Sequence, residues 1–265
     1  MATLREKQDI LVYERFMTFR TPPVFYQHPE QIDGPIASGT FFRVEQRMFF
    51  ITALHTITEF GYKPEQFLIP NKPYSDDFIS LGNCALIKPS EYKYDACVLE
   101  ILDLDAKQKI ASGGWQFLSL DNVLDPDKAI DFVLFGFPYA IKNEGKVSKL
   151  YKSICAYADR KAAPDDYPDR LPGGTDLFFE YGTIADDHEG NEVEAPKLPG
   201  ASGGSVWALP PRSPVWMPPR VVGVQTSYLK GNYFRAVDWR VVAKILALTD
   251  AALANEIVSR FQTNS

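Results

Sequence analysis

One serine in this chain is surrounded by the residue types that suit a nucleophile. The segment 198–207 reads LPGASGGSVW, so Ser202 stands between Gly200 and the pair Gly203 and Gly204. Glycines on both sides let the backbone turn sharply and present the hydroxyl together with nearby N–H groups. Acyl-transfer chemistry needs both features, an exposed Oγ and adjacent amides that stabilise an oxyanion. Because the same composition is typical of ordinary turns, the rest of the chain must decide.

A nucleophilic serine needs a base, and the base needs an acid that orients it. Every histidine of the chain precedes Ser202, and there are three: His28, His55 and His188. Residues 200–204 also satisfy the G-x-S-x-G pattern of α/β-hydrolases, but those enzymes place their histidine after the serine, which excludes them here. The order that is left is His55, Asp95 and Ser202.

Taken singly, these partners have ordinary structural interpretations. His55 ends an apolar run and Asp95 opens another, positions at which such residues are more often structural than catalytic. His28 and His188 lie in polar loops and are interpreted as exposed. An acidic stretch has no recognisable metal-ligand spacing and favours a solvated hairpin, so neither a metal nor a cofactor is predicted. Its residues are Asp186, Asp187, His188, Glu189, Glu192 and Glu194.

Many short strands must position these residues. An amphipathic helix is predicted over 3–19, and a hairpin is predicted from the runs 37–44 and 47–54. Asp238 and Asp250 are predicted to cap two C-terminal helices. This pattern predicts an all-β fold of barrel type with terminal helices. The further predicted strands are 67–70, 78–81, 85–88, 96–102, 130–137, 147–157, 177–183, 204–209, 221–227 and 233–237.

Composition narrows the class of protein. The 265 residues are 45% hydrophobic and 23% charged, which is typical of a globular protein, and the formal net charge is −6. That charge argues against nucleic acid as a partner. No segment has the length of a membrane span, and residues 1–20 lack the apolar core of a signal peptide. Three scattered cysteines, Cys84, Cys97 and Cys155, form no disulfide or metal pattern, so we expect a reduced, cytoplasmic protein.

The three candidate residues lie in segments that follow a characteristic order. Residues 39–42 and 50–55 carry the histidine, 94–99 the aspartate and 199–206 the serine, and the strands 135–138 and 221–227 accompany them. Over roughly residues 36–245 this order resembles the trypsin-like (chymotrypsin-fold) serine peptidases, and we expect an intracellular, bacterial-type member. The chain departs from the family pattern at Leu54 and Ser205, neither of which is a reacting residue.

The resemblance implies two six-stranded antiparallel β-barrels with the site between them. Ser202 would attack the scissile carbonyl, His55 would take its proton, and Asp95 would hold the imidazole. The N–H groups of Gly200 and Ser202 would form the oxyanion hole. The implied domains are an N-terminal helical extension (1–32), a first barrel (33–105), a connection (106–128), a second barrel (129–237) and C-terminal helices (238–265).

The resemblance also implies substrate-binding positions. Pro196 would lie at the base of the primary pocket, and its lack of charge argues against selection of Lys or Arg. Gln225, in the strand that forms the wall of the cleft, could donate to a polar substrate side chain. Thr226 would support Asp95 by a hydrogen bond, and Ser227 follows in the same wall.

Together these features predict a regulated serine endopeptidase of narrow specificity that acts on a protein or peptide. An activating partner protein is expected, as is a role such as cleaving one dedicated effector in a bacterial stress or antiviral defence system. Ordering of the loops 159–175 and 186–194 would complete the oxyanion hole. Two alternatives stay open: a protease-fold binding module that no longer cleaves, and an esterase that uses the same triad.

Overall fold

The protein is built mainly of antiparallel strands, with helices at both ends. The computed structural model describes residues 4–59, 61–89, 94–139, 152–165, 175–186, 191–211, 213 and 215–262. Its helices are α1 (Leu4–Thr18), α2 (His55–Thr58), α3 (Leu104–Ser112), α4 (Trp239–Ala247) and α5 (Ala251–Gln262).

The first β unit consists of two four-stranded sheets. Its strands are β1 (Pro23–Gln27), β2 (Ile32–Ser38), β3 (Thr40–Val44), β4 (Arg47–Thr52), β5 (Phe67–Pro70), β6 (Phe78–Ser80), β7 (Cys84–Ile87) and β8 (Cys97–Ile101). One sheet has the order β2-β1-β5-β6 and the other the order β3-β4-β8-β7. Only Gly39 separates β2 from β3, so the chain passes directly from one sheet to the other.

The second β unit is a seven-stranded sheet with a small two-stranded one. Its strands are β9 (Phe132–Gly136), β10 (Ile154–Ala158), β11 (Arg160–Lys161), β12 (Asp176–Tyr181), β13 (Ile184–Asp186), β14 (Glu192–Glu194), β15 (Ser205–Ala208), β16 (Arg220–Leu229) and β17 (Asn232–Asp238). The large sheet has the order β10-β9-β15-β16-β17-β12-β11, and β13 pairs with β14.

The predicted all-β class with terminal helices is confirmed, while details of the elements differ. The described strands form hydrogen-bonded sheets of four, four, seven and two strands, consistent with all-β barrels. Strand β1 lies inside the segment 1–32 that was expected to be a helical extension, and it pairs with β2 and β5. The predicted strand 147–157 is described from Ile154 onward. The domain boundaries themselves stay predictions.

Strand β4 shows how the sequence builds the core. Its residues Phe49, Phe50 and Ile51 are all fully buried, because the strand has apolar neighbours on both faces. Side chains alternate across a strand, and accordingly Phe50 packs in the cluster of the first unit, whereas Phe49 and Ile51 belong to a larger cluster. That larger cluster includes Trp207 and Trp239 from the second half of the chain, so one core joins the two units.

The C-terminal helices begin where the sequence predicts. The Asp238 carboxylate accepts the N–H of Arg240 at 2.7 Å, and the Asp250 carboxylate accepts the N–H of Leu253 at 2.6 Å. Such caps satisfy backbone donors that have no partner within the helix. Helix α4 then buries Trp239 against Phe42 of β3, with 5.0 Å between the ring centroids.

Candidate active site

Antiparallel pairing of β4 with β8 brings His55 and Asp95 together. In this ladder Phe49 lies opposite Glu100 and Thr52 lies opposite Cys97. The chain leaves β4 three residues before His55 and enters β8 two residues after Asp95, so both residues lie just beyond the same end of the strand pair. Residues 40 positions apart in sequence therefore meet at one edge of the first unit.

The contact between them is a double hydrogen bond. Asp95 Oδ2 lies 2.7 Å from His55 Nδ1, and Asp95 Oδ1 accepts the backbone N–H of His55 at 2.8 Å. The two side chains are 19% and 23% exposed, so the pair is shielded yet open to the surface. The carboxylate thereby fixes both the ring orientation and the tautomer that carries its proton on Nδ1.

The surroundings of His55 raise its pKa. Burial is the largest influence and opposes the charged ring, but the hydrogen bond and the negative charge of Asp95, with a smaller contribution from Glu59, outweigh it. The pKa of His55 therefore lies above its ordinary value of 6.5. A more basic imidazole is better able to accept a proton from a hydroxyl, as general-base catalysis requires.

The loop that carries Ser202 is held against β2 and the end of β4. The N–H of Ser38 donates to the carbonyl of Ser202 at 2.8 Å, and the N–H of Gly203 donates to the carbonyl of Gln225 at 2.8 Å. Gly203 has a φ of +84°, and a Cβ there would lie 2.2 Å from Thr52 Oγ1. Only glycine fits at that point. The loop thus reaches the segment that leads into His55.

Two backbone N–H groups flank Ala201 without a hydrogen-bond partner. Within the described part of the chain, neither the N–H of Gly200 nor that of Ser202 donates to any acceptor. The carbonyl of Pro199 accepts the N–H of Tyr139 at 2.7 Å. Because N–H and C=O of one trans peptide point in opposite directions, the Gly200 N–H faces away from Tyr139. Such a pair of free amides has the chemistry of an oxyanion hole.

Ser38 clamps the next peptide of the same loop. Its hydroxyl accepts the N–H of Phe137 at 2.9 Å and donates to the carbonyl of Gly200 at 3.1 Å. Gly200 has a φ of +92°. The peptide on each side of it is fixed by a hydrogen bond, one from Tyr139 and the other from Ser38. Sequence reasoning missed Ser38, since its only signal was a position beside Gly39.

The structure does not join all three candidate residues directly. Ser202 Oγ makes no hydrogen bond to His55 or to any other described residue, whereas His55 and Asp95 are bonded. Catalytic hydrogen bonds are often long in ligand-free structures. The loops expected to regulate the site fall in part outside the described residues, which omit 166–174 and 187–190.

Two of the predicted substrate-binding residues, Pro196 and Gln225, form hydrogen bonds within the protein. The carbonyl of Pro196 accepts the hydroxyl of Tyr181, and the side chain of Pro196 carries no charge. Gln225 is 1% exposed and donates from Nε2 to the carbonyl of Ser227 at 3.1 Å, so this donor already has a partner. Its Oε1 is buried and has no partner among the described residues.

The predicted bond from Thr226 to Asp95 is not formed. Thr226 Oγ1 is buried and makes no hydrogen bond to any residue that the structure describes. Thr226 lies at an irregularity of β16, where the pairing with β17 shifts between Gln225 and Ser227. Such a bulge leaves the extra residue out of the ladder and re-aims its side chain. The hydroxyl of Thr226 therefore does not support the carboxylate.

Among the described residues, the cysteines and His28 form no second group of this kind. Burial, together with the charge of Asp95, raises the pKa of the Cys97 thiol, so this buried cysteine is a poor nucleophile. All three cysteines are free. His28 forms a separate pair with Asp33 at 3.0 Å, and both side chains are 40% exposed. Across the described residues no three potential ligands are grouped to hold a metal; Asp187, His188 and Glu189 lie outside them.

Comparison with solved structures decides the fold. The scabies mite inactivated protease paralogue S-I1 covers 88% of this chain and is covered over 96% of its own length, with 15% sequence identity and a TM-score of 0.53. The match to the protease Anisep from Arthrobacter nicotinovorans spans 83% of this chain and 90% of Anisep, with 16% sequence identity and a TM-score of 0.50. The fold is that of the chymotrypsin-like serine proteases.

A third similar solved structure comes from a study of coupled folding and binding of the intrinsically disordered Sesbania mosaic virus VPg protein. The match spans 85% of this chain and 88% of that solved chain, with 14% sequence identity and a TM-score of 0.50. No protein-family model and no curated protein matches the sequence. Among the described helices, none is long and apolar enough to cross a bilayer.

Proposed function

We propose that the chain is a serine endopeptidase that hydrolyses peptide bonds through Ser202, His55 and Asp95. The proposal rests above all on the double contact of Asp95 with His55, 2.7 Å at the ring and 2.8 Å at the backbone. A carboxylate that both orients the ring and raises its pKa is the arrangement that prepares a general base. The nearby glycine-rich loop with its two unbonded N–H groups supports the same proposal.

In this mechanism His55 Nε2 accepts the proton of Ser202 as Oγ attacks the scissile carbonyl. The N–H groups of Gly200 and Ser202 stabilise the oxyanion of the tetrahedral intermediate. Collapse of the intermediate transfers the proton from His55 to the leaving amine and forms an acyl-enzyme. A water molecule then attacks the acyl-enzyme with His55 again as the base, and hydrolysis regenerates the free serine. Asp95 stabilises the imidazolium at each stage.

A catalytically silent binding module is the second candidate. Two observations favour it: Ser202 Oγ has no hydrogen bond to His55 among the described residues, and one solved structure of the same fold is named an inactivated protease paralogue. An esterase that uses the same three residues is a further alternative, because the acyl-enzyme mechanism applies equally to esters.

A fluorophosphonate probe separates these candidates. It attaches covalently to a serine only when a base activates the hydroxyl, so we expect labelling of wild type at Ser202 and no labelling of Ser202→Ala or His55→Ala. Labelled protein is then tested on a peptide library and an ester panel. Peptide cleavage supports the endopeptidase, ester hydrolysis alone supports the esterase, and absence of labelling in folded protein supports the binding module.

The biological setting is also part of the proposal. We infer a cytoplasmic location and a protein or peptide substrate that does not place Lys or Arg in the primary pocket. The substrate would be one dedicated effector in a bacterial stress or antiviral defence system, and a partner protein would activate the peptidase. The supporting observations are the uncharged Pro196 and the three free cysteines. Expressing wild type beside Ser202→Ala and sequencing new protein N-termini would identify the substrate. Identical N-termini in both would argue against it.

A further inference from the structure

A cleft of about 600 Å³ lies at the opposite end of the β3–β4 hairpin from His55. It is bordered by Arg20, Arg43, Glu45 and the segment 115–119. In the β3–β4 ladder Arg43 lies opposite Met48. Met48 is four residues from Thr52, the last residue of β4, so the two ends of the strand are about 14 Å apart at the usual rise per residue. The cleft is thus distinct from the candidate active site, and its size is typical of small-molecule sites.

Arg20 contributes a charge that no described carboxylate balances. Its guanidinium carbon lies 3.5 Å from the centre of the Phe16 ring, and Nη1 donates to the carbonyl of Phe16 at 2.7 Å. Within the described residues it forms no ion pair. Burial lowers the pKa of Arg20 to about 10, with no opposing contribution from an acidic neighbour.

Arg43, which also borders the cleft, likewise stacks on an aromatic ring. Its guanidinium carbon lies 4.4 Å from the centre of the Phe117 ring, and its Nε is buried without a partner among the described residues. The backbone N–H of Arg43 donates to the carbonyl of Leu118 at 2.8 Å, which fixes the strand against the connecting segment. Stacking fixes the plane of a guanidinium and leaves its N–H edge for recognition.

Several other arginines of the described chain are paired with carboxylates. Arg47 pairs with Glu100 and Asp250, Arg235 with Asp176, and Arg240 with Asp238. Against this background, two stacked guanidinium groups without a carboxylate partner border one cleft. We propose that this cleft binds a small molecule through an oxyanion, either a phosphate or a carboxylate group, with Arg20 and Arg43 as its ligands.

Glu45 limits the charge that the cleft accepts. It is exposed in the hairpin turn between β3 and β4, has a φ of +50°, and borders the cleft without an ion pair to a described residue. Its carboxylate repels a bound anion, so removing its charge strengthens binding. This gives a substitution whose predicted effect is opposite in sign to that of the arginine substitutions.

Binding of pyrophosphate and of citrate, measured by calorimetry at matched ionic strength, tests the proposal and distinguishes phosphate from carboxylate. Arg20→Gln and Arg43→Gln should each weaken binding at least 10-fold, whereas the control Arg220→Gln, at an exposed arginine of β16, should not. Glu45→Gln should tighten it about threefold. Ser202→Ala should bind as wild type does, so the result does not depend on peptidase activity.

Two results would overturn the proposal. One is wild type that shows no saturable binding of either anion; the other is binding that Arg20→Gln and Arg43→Gln leave unchanged. If either arginine variant is unfolded in its circular dichroism spectrum, the exposed Glu45→Gln variant decides. Tighter binding in that variant supports the site, and unchanged affinity counts against it.

Discussion

The proposed mechanism makes Ser202, His55 and Asp95 a single catalytic unit, so the effects of substituting them should not be additive. Ser202→Ala and His55→Ala should each remove nearly all turnover, and the double variant should be little worse than either. Asp95→Asn should lose roughly 10⁴-fold in kcat, because the amide favours the wrong imidazole tautomer. Steady-state kinetics on the peptide found by library digestion would measure these losses. Losses that multiply in the double variant would contradict the assignment.

The raised pKa of His55 predicts a pH dependence with a definite direction. Turnover needs the neutral ring, so kcat/KM should rise with pH and reach half its maximum above pH 6.5. In Asp95→Asn the hydrogen bond to a charge is lost while burial stays, so the pKa should fall. NMR titration of the His55 ring measures this even without turnover.

The control for that titration is Glu59→Gln. Glu59 contributes the smallest of the influences that raise the pKa of His55, so a slight downward shift with no loss of turnover is expected. An Asp95→Asn ring that titrates at the wild-type pH would show that the carboxylate does not determine the basicity of His55.

At the scale of elements, the end of β2 should control the position of the loop that carries Ser202. Removing the Ser38 hydroxyl frees the carbonyl of Gly200 and loosens one of the two peptides that fix this glycine. Small displacements of catalytic groups have large kinetic costs, so Ser38→Ala should lower kcat roughly 10- to 100-fold with KM little changed. Ser80→Ala, which removes a hydroxyl bonded to the carbonyl of Glu65, is the matched control.

A merely structural role for Ser38 would give a different pattern. Lower thermal stability with unchanged kcat in the folded fraction would mean that the hydroxyl stabilises the fold without positioning the loop. Restored kcat in Ser38→Thr, which keeps the hydroxyl, would support the positioning role.

For the whole molecule, the core that joins the two units predicts a single unfolding transition. Phe42 of β3 packs on Trp239 of α4 and is fully buried, so Phe42→Ala should cost about 3–5 kcal/mol. Tryptophan fluorescence and far-ultraviolet circular dichroism should then report one coincident transition at lower temperature. Two separated transitions would show that the units unfold independently.

The redox state should not affect stability. The three cysteines are free, and burial raises the pKa of each thiol, so none is readily oxidised. The Tm should therefore be the same with and without dithiothreitol. A fall of several degrees on reduction would show that a disulfide stabilises the protein in solution.

The sequence by itself determined the features that depend on local pattern. The apolar run before His55 predicted a strand that ends beside it, Asp238 and Asp250 predicted two helix starts, and the order of motifs predicted the fold class. The strand follows from a continuous apolar run and the helix starts follow from caps that satisfy nearby backbone donors, and neighbours in sequence carry that information. The fold class follows from the order of the motifs along the chain and its resemblance to a known family.

Only the tertiary structure decided the contacts between distant segments. Ser38 lies 162 positions from the Gly200 that it contacts, and Arg20 and Arg43 border one cleft together with the segment 115–119. Thr226 lies at a register shift of β16 and does not form its predicted bond. Such contacts depend on strand register and on the packing of two units around a shared core. Shifting a strand by one residue reverses the face of every side chain, and the alternation that predicts a strand does not fix which residue of another strand it will face.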